Sequence, residues 1–235
     1  MENTLSLTAI LILSYFCGSI PTAVVVSKRF FGFDIREKGS KSSGSTNAFR
    51  LLGWKWGVFV QLFDILKAVF PILIIVPWLG QEIQIPGTNF AEKIIILKLV
   101  AGLFAVFGHI WSVFVGFKGG KGVNTTVGLL VALAPLDFGI GMIVFFLAVF
   151  STGYISLGSM TGAVTVATSM FVRYNFFAAD IPGYNILIYF FYAVAVLLIF
   201  THKTNIGRLI KGEENRFEKL HLIKFGSKKA QNKEN

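Results

Sequence analysis

Apolar runs alternate with polar intervals along most of the chain, and the runs have the length of membrane-crossing helices. Residues 5–27 form the first predicted span, interrupted by Gly18 and Pro21, which predicts a kink near its inner end. Residues 56–79 form the second, with Trp56 and Trp78 placed as interface anchors. The third, 94–117, runs into a glycine-rich loop, and the fourth, 123–134, ends at Pro135. A full crossing needs about 20 residues and rarely fewer than about 17, so the fourth reads as a partial helix buried by its neighbours. Residues 138–150, 155–172 and 184–201 complete the set, with polar turns at 151–153 and 173–183.

Composition agrees with this pattern. The chain of 235 residues is 54% hydrophobic and 14% charged, with 25 phenylalanines and a mean hydropathy of +0.69. Soluble domains carry about 25% charged residues, so one soluble core cannot hide this mixture. The fold class is therefore an all-α polytopic membrane protein with about seven transmembrane helices, one of them short. Cys17 is the one cysteine and lies in an apolar run, which excludes an intramolecular disulfide. A formal net charge of +10 would suit nucleic acid. The basic residues cluster between apolar spans, however, where anionic headgroups attract them, so no nucleic-acid partner is expected. Seven Lys/Arg fall in residues 28–55, two in the glycine loop and nine in 202–235, against one each in 80–93 and 173–183. The positive-inside rule then predicts an external N-terminus, a cytoplasmic C-terminus and a cytoplasmic site, with 151–158 on the same face. Glu2 precedes the first run in place of a basic region, so no cleavable signal is expected. No internal repeat is apparent. Residues 1–224 read as one integral-membrane domain and the Lys/Asn/Gln-rich 225–235 as a disordered basic tail.

Three polar clusters fall on the predicted cytoplasmic face. In 108–127, GHIWSVFVGFKGGKGVNTTV, Lys118, Gly119, Gly120, Lys121 and Gly122 follow His109 and precede a predicted helix. Glycines let backbone N–H groups converge on an anion, and a helix N-terminus points its unpaired N–H groups there too. The G-x-x-x-x-G-K-[ST] spacing of a nucleotide-binding loop is absent. A tight turn between membrane helices, with lysines on the cytoplasmic side, accounts for the loop equally well. Residues 39–50, GSKSSGSTNAFR, form a donor-rich loop in which Ser40, Thr46, Asn47 and Arg50 could hold a phosphate, or simply a flexible solvated turn. In 202–214, HKTNIGRLIKGEE, His202, Asn205 and Arg208 share one helix face, as they also would on a helix lying in the headgroups. Asp64 and Lys67, three residues apart inside the second span, are expected to pair, as an ion pair of structural or catalytic use. Ser156 and Ser159 open the sixth span as hydroxyls for the same pocket or as small residues for helix packing.

Together the clusters resemble the three motifs of the PlsY-type bacterial glycerol-3-phosphate acyltransferases, across nearly the whole chain. The first resembles GSGNxGATNxxR, with Ser40, Gly44, Thr46, Asn47 and Arg50 matching and Lys41, Ser42, Ser43 and Ser45 departing. The second resembles GHxxPVFxxFKGGKGVAT, with Ser112 for the proline and Asn124 for an alanine. The third resembles HxxNIxRLxxGxE, matched by His202, Asn205, Arg208, Gly212 and Glu214. The resemblance implies acyl transfer from a fatty acyl phosphate to the sn-1 hydroxyl of glycerol 3-phosphate, in the bacterial cytoplasmic membrane. It implies Ser40 and Arg50 as essential residues and Asn205 as supporting activity; His109 and His202, in the titration range of a base, complete the catalytic candidates, with a substrate phosphate oxygen as the alternative base. Thr46, Asn47, Lys67, Lys118, Gly119, Gly120, Lys121, Gly122, Ser156, Ser159, Arg208 and Glu214 become substrate-binding candidates. The expected partners are the two substrates, membrane lipids and a soluble enzyme that makes acyl phosphate. No cofactor or metal is expected, since no His/Cys/Asp/Glu group has ligand spacing. A phosphate-ester transporter and a catalytically silent lipid-binding scaffold are the competing readings.

Overall fold

The computed structural model describes residues 2–216. Residues 217–235, including the predicted tail, lie outside the described residues. The described chain is helical, with no strand among its elements. Six stretches are long and apolar enough to cross a membrane: Asn3–Phe31, Trp54–Leu79, Phe90–Val115, Pro135–Thr152, Ile155–Phe177 and Tyr184–Thr201. The predicted short fourth segment is the helix Val123–Leu133.

The first span is broken rather than kinked. α1 (Glu2–Ser19) ends before Pro21 and α2 (Thr22–Phe31) starts after it. Proline removes one donor and turns the preceding residue away from helical geometry. α3 (Ser45–Leu51) is a short helix inside the serine-rich loop, where only turns were expected. α4 (Trp54–Phe70) continues through a π-helical turn, Pro71–Ile75, into α5 (Val76–Leu79). Pro71 forces that local widening, because it cannot donate to the helical ladder.

α6 (Phe90–Ile110) opens on a capping box made by Asn89 and Glu92. It stops seven residues before the predicted end of the third span. A 3₁₀ turn, Val113–Val115, and the left-handed Gly116 then reverse the chain. After α7 (Val123–Leu133), α8 (Pro135–Thr152) and α9 (Ile155–Phe177) form a hairpin around the left-handed Gly153. α9 runs beyond the predicted end at 172. Arg173 is carried inside the helix by its bond to the buried Asp137 of α8, 2.7 Å away. α10 (Tyr184–Thr201) has the predicted bounds, and α11 (Lys203–Lys211) follows at once.

α1 packs on α6, α4 on α7, and α9 on both α8 and α10. The first two contacts are close because small residues sit at the crossings. A Cβ at Gly108 would lie 2.1 Å from the Tyr15 carbonyl oxygen, and one at Gly128 would lie 2.3 Å from that of Ile65. The core is shared between spans: Ile72, Leu99, Leu129, Met170 and Phe191 pack together from five elements. Phe63, Phe70, Ile143, Leu147, Tyr189 and Val196 remain exposed, as lipid-facing positions require.

Candidate active site

The serine-rich loop folds around Asn47. Its Oδ1 accepts from the Ser40 amide at 3.0 Å. Its Nδ2 donates to the carbonyls of Ile35, Lys38 and Ser42 at 3.0–3.2 Å. The Asn47 side chain is therefore spent on building the loop. Gly39 is left-handed, and a Cβ there would meet Asn47 Oδ1. Lys41, which stands where the motif has glycine, is also left-handed, with φ of 55°. Ser40 and Thr46 are half-buried at the rim, and Arg50 occupies the last turn of α3.

The glycine loop doubles back onto the end of α6. Gly119 N–H donates to the Ile110 carbonyl and Gly120 N–H to that of His109, both at 3.0 Å. These two amides are thus not free for an anion. The glycines are needed for close approach instead: a Cβ at Gly119 would sit 2.0 Å from the His109 carbonyl oxygen, and one at Gly120 would sit 2.2 Å from His109 Nε2. Gly122 is left-handed and caps α7. Among the described residues the first amides of α7, at Val123, Asn124 and Thr125, have no intrahelical acceptor. Lys118 is exposed and Lys121 half-buried. The Lys121 carbonyl accepts from Thr201 Oγ1 at 3.1 Å, which ties the loop to the end of α10.

Glu214 organises the third motif. Its Oε1 accepts from Ser156 Oγ at 2.9 Å and Asn205 Nδ2 at 2.6 Å, and its Oε2 accepts from Arg208 Nε at 2.7 Å. Burial alone would raise this carboxyl; the bonds from Arg208, Asn205 and Ser156 outweigh it and hold it below the usual range. The chain beyond Glu214 ties back across the site. The Asn215 carbonyl accepts from Arg50 Nη2 at 3.2 Å, and Arg216 Nε donates to the Tyr154 hydroxyl at 2.9 Å.

Arg50, Lys121, Arg208 and Glu214 lie within one another's fields. Burial, helped by Arg208 and Arg50 and opposed by Glu214, pushes the Lys121 ammonium down to about 8. Burial likewise lowers Arg50, with Arg208 adding to it and Glu214 opposing. Among the described residues Lys121 and Arg208 thus face the one Glu214 carboxylate, an arrangement that an anion relieves. His202 is buried beside them. Its Nδ1 stands 2.7 Å from the Leu198 carbonyl, which can only accept, so Nδ1 carries the proton and Nε2 is an acceptor. Burial, then Lys121, pushes the imidazolium down to about 4, so the ring is neutral at physiological pH.

The other predicted site residues lie elsewhere. Lys67 Nζ pairs with Asp64 Oδ1 at 2.8 Å and donates to the Ile20 carbonyl at 3.0 Å, at the break between α1 and α2. His109 Nδ1 lies 3.8 Å from the same Asp64 oxygen, and its Nε2 edge is covered by Gly120. Asp64, Lys67, His109, Ser112, Ser43 and Gly119 share one small cavity. Ser112 holds a proline-compatible φ of −69° and donates its hydroxyl to the Ser19 carbonyl, so the helix end is pinned despite the missing proline. Ser159 donates to Ile155 of its own helix. Tyr154, Thr201 and Asn215 were missed by the sequence reading: none belongs to a motif, and two of the three contribute backbone-directed bonds. A wider groove of about 450 Å³ lies alongside, lined by Ile20, Pro21, Val24, Val25, Phe114 and Val115, with Lys28 also at its wall. Its lining is mainly aliphatic, with Phe114 as its one aromatic among the described residues.

Comparison with known proteins agrees with this geometry. The family model for glycerol-3-phosphate acyltransferase matches residues 8–212. The glycerol-3-phosphate acyltransferase of Chlorobaculum tepidum is 40% identical over 240 residues, covering 95% of this chain and 99% of its own. That of Chlorobaculum parvum is 40% identical over 228 residues, covering 90% and 97%. The crystal structure of PlsY, an integral membrane glycerol 3-phosphate acyltransferase, in its glycerol 3-phosphate form superposes with a TM-score of 0.76 at 33% identity, covering 90% of this chain and 96% of that one. Sequence, fold and the convergence of all three motifs agree: the chain belongs to the glycerol-3-phosphate acyltransferase family, of the PlsY type.

Proposed function

We propose that the protein transfers the acyl group of a fatty acyl phosphate to the sn-1 hydroxyl of glycerol 3-phosphate, releasing lysophosphatidic acid and phosphate. Membership of the family makes it a glycerol-3-phosphate acyltransferase; the donor and the position of attack are our reading. The observation that carries it is the pair of cations, Lys121 and Arg208, that among the described residues share the one Glu214 carboxylate, beside His202 with its Nδ1 proton committed to the Leu198 carbonyl. Two phosphate-bearing substrates need such cations, and a neutral imidazole Nε2 accepts a hydrogen bond from the attacking hydroxyl.

In the reaction the glycerol oxygen forms a bond to the acyl carbon, and the carbon–oxygen bond to phosphate breaks. The hydroxyl proton leaves to His202 Nε2 or to a substrate phosphate oxygen and ends on the departing phosphate. Lys118, Lys121, the first amides of α7, His202 and Asn205 hold the glycerol 3-phosphate. Ser40, Thr46 and Arg50 hold the acyl-phosphate head. Asn47, Ser156, Arg208 and Glu214 build and orient the walls, and Gly119, Gly120, Gly122, His109 and Lys67 set the loop. Holding both substrates together supplies up to roughly 7–11 kcal/mol of the barrier reduction. The acyl chain lies in the aliphatic groove, which shares Ile20 and Pro21 with the cavity beneath Ser43 and Gly119. The site faces the cytoplasm of a bacterial cell, with the N-terminus outside and a basic C-terminal tail inside. Residues 1–224 are taken as one integral-membrane domain, and a soluble acyl-phosphate-producing enzyme supplies the donor.

The test is donor choice. Purified protein in detergent is given glycerol 3-phosphate with palmitoyl phosphate or with palmitoyl-CoA, and the product is identified by mass spectrometry. The account expects 1-acyl product and phosphate from palmitoyl phosphate. Product from palmitoyl-CoA alone would overturn the donor assignment.

A further inference from the structure

A polar bond joins the two loops that the proposed reaction must hold in register. Asn124 Nδ2 donates to Ser45 Oγ at 2.8 Å, across 79 positions of sequence. Ser45 is the first residue of α3 and Asn124 the second of α7. Both helices rest on α4. Contact with a shared neighbour fixes each helix in one direction and leaves its position along that neighbour less constrained. A directional bond between the first turns supplies the missing restraint. The bond is half-buried, with Ser45 only 8% exposed, so water competes poorly for it. Ser45 and Asn124 are also two of the positions at which this chain departs from the motif pattern, and they depart as a bonded pair.

We propose that Ser45 and Asn124 are positioning residues: their bond sets the spacing between the serine-rich loop, with Ser40 and Arg50, and the glycine loop, with Lys121. Neither touches the reacting atoms in this assignment. The bond acts by keeping the acyl carbonyl within reach of the glycerol hydroxyl, where misplacement by about 1 Å can cost 10²-fold in rate. The proposal rests on the acyltransferase reading above.

The experiment is a four-corner cycle on the full chain: wild type, Ser45→Ala, Asn124→Ala and the double variant, with kcat and KM for palmitoyl phosphate and glycerol 3-phosphate. Each single variant is expected to lose about fivefold in kcat with KM changed less than about twofold, within the range for misplaced substrates. The double variant should fall no further than the worse single, because one bond is lost in all three. Ser45→Thr, which keeps the hydroxyl, should retain most of the wild-type kcat. Losses that multiply in the double variant, singles indistinguishable from wild type, or a Ser45→Thr no better than Ser45→Ala would overturn the proposal. Amide hydrogen exchange reads the same coupling without turnover. Asn124→Ala should speed exchange across residues 39–50, and Ser45→Ala across 116–126; no change in either would also overturn it. A wild type inactive with both donors would remove the acyltransferase reading, and the exchange experiment alone would then decide the tie.

Discussion

The glycine loop touches two charged clusters built on opposite terms. Through Gly120 it covers His109 and, with it, the Asp64–Lys67 pair. There one ammonium meets one carboxylate, with the Thr22 hydroxyl on Asp64 Oδ1 and the Ile20 carbonyl on Lys67, while Asp64 Oδ2 is buried without a hydrogen-bond partner among the described residues. One residue further on, Lys121 lies with Arg208 near Glu214, two cations to one carboxylate among the described residues, and Arg50 lies within their fields. The first cluster is nearly neutral, one ammonium to one carboxylate, and we assign it to structure. The second, where Lys121 and Arg208 share one carboxylate among the described residues, we assign to a ligand. Both contain a lysine and a histidine, and both looked functional as sequence; charge balance and carbonyl partners separate them.

The largest effect should come from breaking the Asp64–Lys67 pair. Asp64→Ala leaves Lys67 buried without its carboxylate and should cost about 3–5 kcal/mol of stability, read as a lower thermal midpoint in detergent. Replacing both, as in Asp64→Leu with Lys67→Met, should cost less than Asp64→Ala alone. Should the double replacement prove the more damaging, the pair is more than a balanced structural bridge.

A smaller effect is expected from pH, at Lys121. Only the protonated form of Lys121 attracts an anion, and its pKa in the free protein is about 8. Glycerol 3-phosphate affinity should therefore weaken as pH rises through 8, by up to about tenfold per unit if this one proton is required. His202, with its pKa near 4, should add nothing between pH 5 and 9. A titration of affinity against pH that is flat from 7 to 9.5 would remove Lys121 from the phosphate site.

The smallest effect concerns Lys41. A side chain in left-handed geometry costs roughly 1–2 kcal/mol, partly offset by the greater unfolded-state freedom of glycine. Lys41→Gly should raise stability by about 1 kcal/mol or less, and an unchanged or lowered thermal midpoint would show that the lysine contributes contacts that compensate.

Much of this architecture was legible in the sequence. Seven apolar segments, the short fourth among them, follow from length and hydropathy, and Pro21 marks the break in the first span. What could not be read depends on partners far along the chain. α9 continues past Arg173 because Asp137 lies 36 positions away to receive it. Lys67 belongs to the Ile20 carbonyl, 47 positions back, and no local pattern reveals a carbonyl acceptor. His109 and His202 are alike as motif histidines. One is enclosed by Asp64 and Gly120, and the other is fixed in a single tautomer by a backbone oxygen. Asn47 was read as a ligand for substrate, but its three carbonyl acceptors appear only once the 35–47 loop is closed.

We assign the phosphate of glycerol 3-phosphate to the cluster at Lys121, and not to the Asp64–Lys67 pair. The most direct test is equilibrium binding of glycerol 3-phosphate to wild type, to Lys121→Ala and to the Asp64→Leu/Lys67→Met double variant, with folding of each checked first. The account predicts that Lys121→Ala loses about 10²-fold or more in affinity, as loss of one charged partner from a partly desolvated anion does. It predicts that the double variant stays within a few-fold of wild type. Unchanged affinity in Lys121→Ala, with binding abolished in a folded double variant, would contradict it.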